Sequence, residues 1–329
     1  MNALSVRNWA ARIIAKETLF RHGLILAFIP MIALFGIARP VFLTPMNFLM
    51  LLRQVVVLSI MSLGMTIVVI GGGIDLSVGE ALDFGAISSV AIMNSGAGFL
   101  VGLVGGLAFG GLVGVFNGMM IAGLGIFPFL ATLMTIFISK SIQFMYSKGF
   151  QSVVLTKDIP SFSFLGNGYI SFMPFPVLFL VFVVFVFFVI AYKTRFGRYI
   201  VACGSNIRAA WLAGIPAKQY VLLTYVLCSV TCALAGIVET SRIGLATPLQ
   251  GGSYLYDVLG AVFMGTSISQ TRRANIFGSV IGAIFFGIIT NGMTLMAISP
   301  YMQLFVKGVS ILLILAFAAA GKKMIGEKA

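Results

Sequence analysis

Ten runs of apolar residues, separated by short polar or glycine-rich segments, constrain this chain more than any other feature. A helix that crosses the hydrocarbon core of a bilayer needs about 20 mostly apolar residues. Only 9% of the 329 residues are charged, whereas a soluble domain has about 25%. We therefore predict an all-α integral membrane protein with about ten transmembrane helices in a single domain, 1–329. The predicted spans are 23–38, 49–70, 78–95, 98–122, 127–147, 175–192, 220–240, 257–270, 275–296 and 301–320, and the short span at 257–270 leaves nine to eleven open.

The basic residues predict how the chain is oriented, because Lys and Arg concentrate in cytosolic segments near the ends of spans. If residues 1–22 are a cytosolic lead-in, most of the 21 Lys and Arg residues lie on the cytosolic side. Both termini are then cytosolic. A net charge of +13 would suggest a nucleic-acid partner in a soluble protein. Here the charges lie between the spans, so the expected partner is the lipid membrane and no nucleic acid is expected.

The titratable residues exclude several kinds of catalytic site. A single histidine, His22, rules out a His-cluster metal site and argues against a Ser-His-Asp triad. Cys228 and Cys232 lie four residues apart in an apolar span, where small packing residues are expected. The chain contains no Gly-x-x-x-x-Gly-Lys-Ser/Thr loop and so does not bind ATP by that device. We expect no enzyme activity, cofactor or metal in this chain.

One break in the apolar pattern is of special interest: Gly71-Gly72-Gly73-Ile74-Asp75-Leu76-Ser77-Val78-Gly79. Backbone that leaves a helix inside a bilayer must be buried in protein or line a watery cavity. Ser77 and Glu80 have the spacing of a capping box and are predicted to open the third span. Asp83 lies inside that span, where an acid is either functional or paired with Lys140 or Arg53.

The two halves of the chain match each other weakly, which predicts an internal repeat. Spans two to five, in 49–147, correspond to spans seven to ten, in 220–320. Because five spans separate the copies, the repeat is inverted, as in many transporters with glycine-interrupted helices. The matching residues are Gly72, Gly73, Leu76 and Gly85 with Gly251, Gly252, Leu255 and Gly265, and Asn117 and Pro128 with Asn291 and Pro300.

Polar residues in the other spans have two interpretations. Asn117, Phe127, Thr132 and Asn291 are candidates for the translocation pathway, together with Asp75, Ser77 and Asp83. For Asn117 and Asn291, hydrogen bonds between helices are an equally good explanation. The glycines of the fourth span predict a close-packing face; they are Gly102, Gly105, Gly106, Gly110, Gly111 and Gly114.

The basic segment 193–219 is the longest predicted cytosolic loop, and it contains a short predicted helix. Small helix-forming residues follow Asn206, and Gly214 with Pro216 ends the helix. A helix between spans on the cytosolic side predicts a docking surface for a soluble partner. The residues proposed to couple to that partner are Asn206, Arg208, Ala209, Ala210, Leu212 and Gly214.

The motif at 72–79 resembles the signature of the permease subunits of ribose-type bacterial ABC sugar importers. The resemblance runs along almost the whole chain. It also covers Ala131-Thr132-Leu133, Lys140, Thr194-Arg195-Phe196-Gly197-Arg198, Gly204-Ser205-Asn206, Leu212-Ala213-Gly214-Ile215, Asn291-Gly292 and the region from Tyr301 to Lys307.

The resemblance implies a multi-pass permease of the bacterial inner membrane, which dimerises around a pathway. A periplasmic or extracellular sugar-binding protein would deliver the cargo. A cytosolic ABC ATPase, which binds the ATP and Mg²⁺, would act through the helix at 206–216. Three segments depart from the family pattern and raise a heterodimer with a related permease as the alternative to a homodimer. They are Ile207-Arg208, Ser253-Tyr254-Leu255-Tyr256-Asp257, and Ser267 to Asn275.

Sparse charge in the spans suits a sugar or similar small neutral polyol as cargo. Nucleosides and branched-chain amino acids are the alternatives within the same transporter class. A different class is an ion-coupled secondary transporter with Asp75 or Asp83 as its ion site. Transport by such a protein would survive without an ATPase.

Overall fold

The computed structural model describes residues 26–149, 151–269 and 273–325, with side chains as far as 316. The described chain is almost entirely helical, which confirms the predicted all-α fold. The helices are α1 (Phe28–Ala38), α2 (Pro45–Ile70), α3 (Val78–Asn94), α4 (Phe99–Gly118), α5 (Pro128–Tyr146), α6 (Pro160–Asn167), α7 (Phe175–Lys193), α8 (Arg195–Ser205), α9 (Ile207–Leu212), α10 (Ala217–Ile243), α11 (Leu255–Ile268), α12 (Ile276–Leu295) and α13 (Pro300–Ile325).

Each of the ten predicted spans contains a helix. Within the described ranges, six helices are long and apolar enough to cross a membrane: α2, α4 with the π-turn Met119–Gly123 that continues it, α5, α7, α10 and α12. Two further apolar helices, α1 and the stretch Pro300–Ala316 of α13, are shorter. The lead-in at 1–22 and both chain ends lie outside the described residues.

The fourth helix packs closely because its glycines form a stripe along one face, as predicted. A Cβ atom on Gly106 would lie 2.7 Å from the carbonyl oxygen of Gly85 in α3. A Cβ atom on Gly110 would meet Ala233 of α10 and the carbonyl oxygen of Ala81. Small residues at a helix interface let the backbones approach each other in a membrane. The stripe therefore fixes α4 against both α3 and α10.

The packing of the helices has the arrangement that the predicted repeat requires. Helix α3 packs on α4, and α11 packs on α12. Helix α10 packs on α3 and α4, while α2 packs on α11 and α12. The two long helices α2 and α10 pack against each other in the middle. These contacts of one half thus have counterparts in the other half. The packing supports the inverted repeat, which stays a prediction.

Two regions contain more structure than their sequences suggested. The segment between α5 and α7, which lies between two predicted spans, contains α6 and three short strands, β1 (Val153–Val154), β2 (Tyr169–Ile170) and β3 (Met173–Pro174). Strand β1 pairs with β4 (Leu245–Ala246), and β2 pairs with β3. The segment 193–219 contains α8 before the predicted short helix.

Candidate functional site

The first break begins where three glycines end α2. Gly72 has φ +83°, a backbone conformation that side chains other than glycine rarely adopt. A Cβ atom on Gly73 would collide with the hydroxyl of Tyr225 in α10. That hydroxyl donates a 3.4 Å hydrogen bond to the carbonyl oxygen of Ile74. The glycines therefore allow the chain to leave the helix while remaining in contact with α10.

Asp75 holds the turn into α3. Its Oδ1 accepts a hydrogen bond from the backbone N–H of Ser77 (2.8 Å) and another from the Ser77 hydroxyl (2.7 Å). The predicted capping box is wrong, because the Ser77 side chain makes no capping bond to α3. Glu80 instead accepts a 2.6 Å hydrogen bond from Gln143 of α5. Ser77 and Glu80 therefore bond to residues outside α3, and not to the amides that the capping-box spacing suggested.

A hydrogen-bonded chain runs from the break into two helices. Nδ2 of Asn117, in the last turns of α4, donates to the Ser77 hydroxyl at 2.7 Å. The hydroxyl of Thr135 in α5 donates to Oδ1 of Asn117 at 2.6 Å. Asp75, Ser77 and Asn117 are all fully buried. The side chains of Asp75, Ser77, Asn117 and Thr135 therefore form one hydrogen-bonded chain, which joins the break to α4 and α5 inside the protein.

The second break consists of Leu249 and the 3₁₀-helix Gln250–Tyr254, and it touches the first turn of α3. A Cβ atom on Gly79 would lie 2.8 Å from the amide nitrogen of Gly252 and would overlap the carbonyl of Gly251. The amide of Gly251 donates to Oδ1 of Asp83 at 2.8 Å. Asp83 thus binds backbone rather than pairing with Lys140 or Arg53. Helix α3 thus begins beside the segment that leads into α11.

Gln143 fastens the second break to the first repeat. Its side-chain oxygen accepts a 2.9 Å hydrogen bond from the amide of Leu249, and its nitrogen donates to Glu80. Leu249 has φ +62°, an uncommon conformation for a residue with a side chain. The amide of Leu249 is thus satisfied by Gln143 of α5, and the amide of Gly251 by Asp83 of α3. Backbone groups within a membrane protein need such partners inside the protein.

An ion pair joins α11 to α13. Nζ of Lys307 lies 2.7 Å from Oδ2 of Asp257, and both side chains are buried. The hydroxyl of Thr290 in α12 donates to the same oxygen at 3.4 Å. This pair was not predicted from the sequence, although an acid and a lysine within apolar spans are a signal for such a pair. The pair satisfies both charges within the bundle.

The segment 193–219 contains the predicted short helix. The side chain of Asn206 caps α9 by accepting hydrogen bonds from the amides of Arg208 (3.1 Å) and Ala209 (3.0 Å). Gly214, with φ +80°, ends the helix. Ala210 is buried against Cys203 and Ala217. The apolar residues Ile207, Trp211 and Leu212 are instead exposed.

Comparison with known proteins identifies the family. A family model described as "Branched-chain amino acid transport system / permease component" matches residues 47–315. The chain belongs to this permease family. It is 34% identical over 283 residues to the ribose import permease protein RbsC of Bacillus subtilis, covering 86% of this chain and 88% of the relative. It is 32% identical over 303 residues to RbsC of Escherichia coli K12, with 92% and 94% covered.

The similarity extends to a permease for another sugar. The D-allose transport system permease protein AlsC of Escherichia coli K12 is 32% identical over 294 residues, covering 88% of each chain. No solved structure matches the chain. The resemblance to ribose-type sugar permeases is therefore confirmed, and the chain is a multi-pass membrane protein of the transporter type.

The predicted pathway residues of this permease do not all lie at one place. Asp75, Ser77 and Asn117 come together at the first break, with Asp83 beside the second. Asn291 exchanges two 3.0 Å hydrogen bonds with Asn47 of α2, as the packing interpretation predicted. Thr132 is buried and bonds to the carbonyl of Pro128 in its own helix. Phe127 is 68% exposed at the start of α5. Their roles in translocation stay predictions.

Proposed function

We propose that this chain is the substrate-translocating permease subunit of an ATP-driven, binding-protein-dependent importer of a sugar or a similar small neutral polyol. The observation that supports this proposal is the contact between the two breaks. Two glycine-interrupted segments in corresponding positions of the two halves mark the substrate path in many transporters. In this permease such segments meet at Gly79 and Gly251.

A neutral cargo agrees with the charges inside the bundle. Lys307 is paired with Asp257, and Asp75 and Asp83 each accept a hydrogen bond from backbone N–H. The buried Lys307 is therefore paired within the protein and is not available as a counter-ion for a charged substrate. The relatives named for ribose and D-allose favour a sugar over a branched-chain amino acid, despite the description of the family model.

The ATPase partner is proposed to bind at α9. This permease contains no phosphate-binding loop, so ATP and Mg²⁺ belong to a separate cytosolic subunit. Exposed Trp211 and Leu212 project from a short helix on the predicted cytosolic side. Large apolar and aromatic side chains of this kind supply most of the binding energy at protein interfaces. Asn206 and Gly214 fix the two ends of that helix.

The remaining partners follow from the same class of transporter. A periplasmic or extracellular sugar-binding protein is proposed to deliver the cargo to the outer end of the permease. A second permease subunit, either identical or related, is proposed to complete the pathway. We place the assembly in the bacterial inner membrane with both termini in the cytosol.

Uptake by the reconstituted complex tests the proposal. The permease is purified with its ATPase and placed in vesicles, with binding protein and labelled ribose or allose outside and ATP inside. We expect uptake that needs ATP and stops when the ATPase is catalytically inactive. Uptake that continues without the ATPase and stops when the ion gradient is removed would instead establish a secondary transporter.

Docking at α9 is tested by co-purification. Trp211→Ala and Leu212→Asp should each reduce recovery of the ATPase by about tenfold or more, because they remove the exposed apolar contact. Lys218→Ala, an exposed change outside α9, is the matched control. Full recovery of the ATPase with both α9 variants would place the docking surface elsewhere.

A further inference from the structure

Two glycine residues from distant parts of the chain bring the cytosolic loop into contact with the first break. Gly204 lies in the last turn of α8, and Gly72 lies at the start of the break. A Cβ atom on Gly72 would be 3.1 Å from Cα and 3.3 Å from the carbonyl oxygen of Gly204. A Cβ atom on Gly204 would overlap the carbonyl oxygen of Ile70 and lie 3.0 Å from the carbonyl carbon of Gly71. No side chain separates the two backbones.

Helix α8 is rigidly connected to the proposed docking helix. The amide of Asn206 donates to the carbonyl of Ala202 in α8 at 3.1 Å, while its side chain caps α9. One residue therefore ends the first helix and begins the second. Buried Cys203 and Ala210 pack these helices together with Ala217 at the start of α10. A displacement of α9 therefore moves the end of α8 that carries Gly204.

On its other side, the break leads directly to the buried hydrogen-bonded chain. The amides of Gly72 and Gly73 bond to the carbonyls of Val69 and Val68 at 3.0 Å, so the first residues of the break continue α2 as a turn. Three residues later, Asp75 holds Ser77, which is bonded to Asn117. Movement at Gly72 thus reaches the groups that set where α3 begins.

We propose that the Gly204–Gly72 contact is where the cytosolic loop moves the break, which makes Gly204 a positioning residue for ATP-driven transport. The inference rests on the proposed function, because it needs a partner that pushes or pulls α9. A backbone contact without side chains transmits displacement well, since closely packed surfaces have little compliance. Any side chain at position 204 separates α8 from Ile70 and Gly71 and alters that contact.

Gly204→Ala in the complete transporter is the first test. The matched control is Gly123→Ala, at the end of the π-turn after α4, where a Cβ atom meets nothing within 4 Å. We expect Gly204→Ala to assemble and to hydrolyse ATP at the unstimulated rate. Stimulation by loaded binding protein and sugar uptake per ATP should fall by about 5- to 150-fold, the usual range of coupling between sites. Gly123→Ala should behave as wild type.

Coupling in Gly204→Ala equal to that of wild type would overturn the inference. This result is distinct from failure of the proposed function, in which the wild-type complex itself shows no ATP-driven sugar uptake. A general loss of stability would lower the amount of complex, whereas the ratio of uptake to ATP hydrolysis would be unchanged in the molecules that remain. That unchanged ratio would also count against the positioning role.

Hydrogen exchange in the wild-type complex provides a test that needs no variant. Binding of a non-hydrolysable ATP analogue to the ATPase should change exchange in a peptide covering 200–206 and also in a peptide covering 70–76. The amides of Gly72 and Gly73 report directly, because both are hydrogen-bonded. A change at 200–206 with no change at 70–76 would contradict a mechanical link through this contact.

Discussion

Asp75 acts in this structure as a hydrogen-bond acceptor, and an amide can replace it in that role. Asp75→Asn keeps an oxygen for the amide and hydroxyl of Ser77, whereas Asp75→Ala removes it. We expect the asparagine variant to fold and transport at close to the wild-type rate. The alanine variant should lose about 1–3 kcal/mol of stability, because the buried amide and hydroxyl of Ser77 lose their acceptor. Melting temperature and sugar uptake measure the two effects.

The opposite result would give Asp75 a second role. If Asp75→Asn folds with an unchanged melting temperature but does not transport, its charge takes part in translocation. The motif would then be more than architecture. Ser95→Ala, which removes an exposed hydroxyl bonded only to the carbonyl of Ile92, controls for the loss of a helix-end hydrogen bond elsewhere.

Asn117 is the residue on which most of the buried chain depends. Asn117→Ala leaves the Ser77 hydroxyl without its donor and the Thr135 hydroxyl without its side-chain acceptor. Because an unsatisfied buried polar group costs about 1–3 kcal/mol, the purified permease should melt at a clearly lower temperature. Ser141→Ala, in which an exposed hydroxyl of α5 is removed, should melt as wild type. Equal melting temperatures for both variants would show that the chain contributes little to stability.

The sequence identified the residues of the break more accurately than their partners. The glycines, Asp75 and Ser77 stood out because polar residues inside an apolar pattern are rare. The expected partners came from spacing along one helix, and spacing describes only local neighbours. The actual partners lie elsewhere: Asn117 in α4, Gln143 in α5 and Gly251 in the second break. Tertiary packing therefore determined the hydrogen-bond partners of Ser77, Glu80 and Asp83.

At the level of elements, the glycine stripe of α4 sets how closely three helices approach. Gly110→Ala would place a methyl group against Ala233 and the carbonyl oxygen of Ala81. We expect a loss of about 1–3 kcal/mol, because overfilling a packed interface forces backbones apart. Gly98→Ala, before the first residue of α4, meets nothing within 4 Å and is the control. Unfolding in a denaturing detergent compares the two, and equal stability would contradict the packing role.

The ion pair between α11 and α13 predicts strongly non-additive substitutions. Lys307→Met alone leaves Asp257 buried without its cation, and Asp257→Leu alone leaves Lys307 without its anion. Each should destabilise the permease by about 3–5 kcal/mol, as found when one partner of a buried pair is removed. The double variant should cost much less than the sum. An additive cycle would mean that the two charges do not depend on each other.

Helix boundaries were predicted well where composition controls them and poorly where contacts do. Helix α2 begins at Pro45 rather than 49, because the Thr44 hydroxyl accepts a hydrogen bond from the amide of Asn47. Helices α6 and α8 were missed because both are short and mix polar with apolar residues. The buried side chain of Phe162 fixes α6 against the bundle, and no local pattern revealed that contact.

For the whole molecule, the paired contacts give the sequence repeat a physical meaning. Two matches in an apolar sequence are weak support, since membrane segments resemble each other by composition. The contact between Gly79 and Gly251 brings the two matching breaks to one place, and the helices around them pack in corresponding pairs. Composition predicted where the helices lie in the sequence, whereas the contact between the two breaks depends on packing between residues far apart in the chain.

The orientation of the molecule can be tested with single cysteines at exposed positions. Asp158 lies in the segment between α5 and α7, and Lys218 lies just inside α10 beside the proposed docking helix. The excess of Lys and Arg around 193–219 predicts that Lys218 is cytosolic and that Asp158 lies outside. In sealed right-side-out vesicles, a membrane-impermeant maleimide should label Asp158→Cys at once. It should label Lys218→Cys only after the vesicles are opened.

The wild-type chain is the control, because Cys203, Cys228 and Cys232 are all buried and should remain unlabelled in the folded permease. Labelling of Lys218→Cys but not Asp158→Cys in sealed vesicles would reverse the orientation and move α9 away from any cytosolic ATPase. Labelling of both would mean that an even number of membrane crossings separates the two positions. Only the predicted result leaves α8, α9 and the Gly204–Gly72 contact on the side where ATP is hydrolysed.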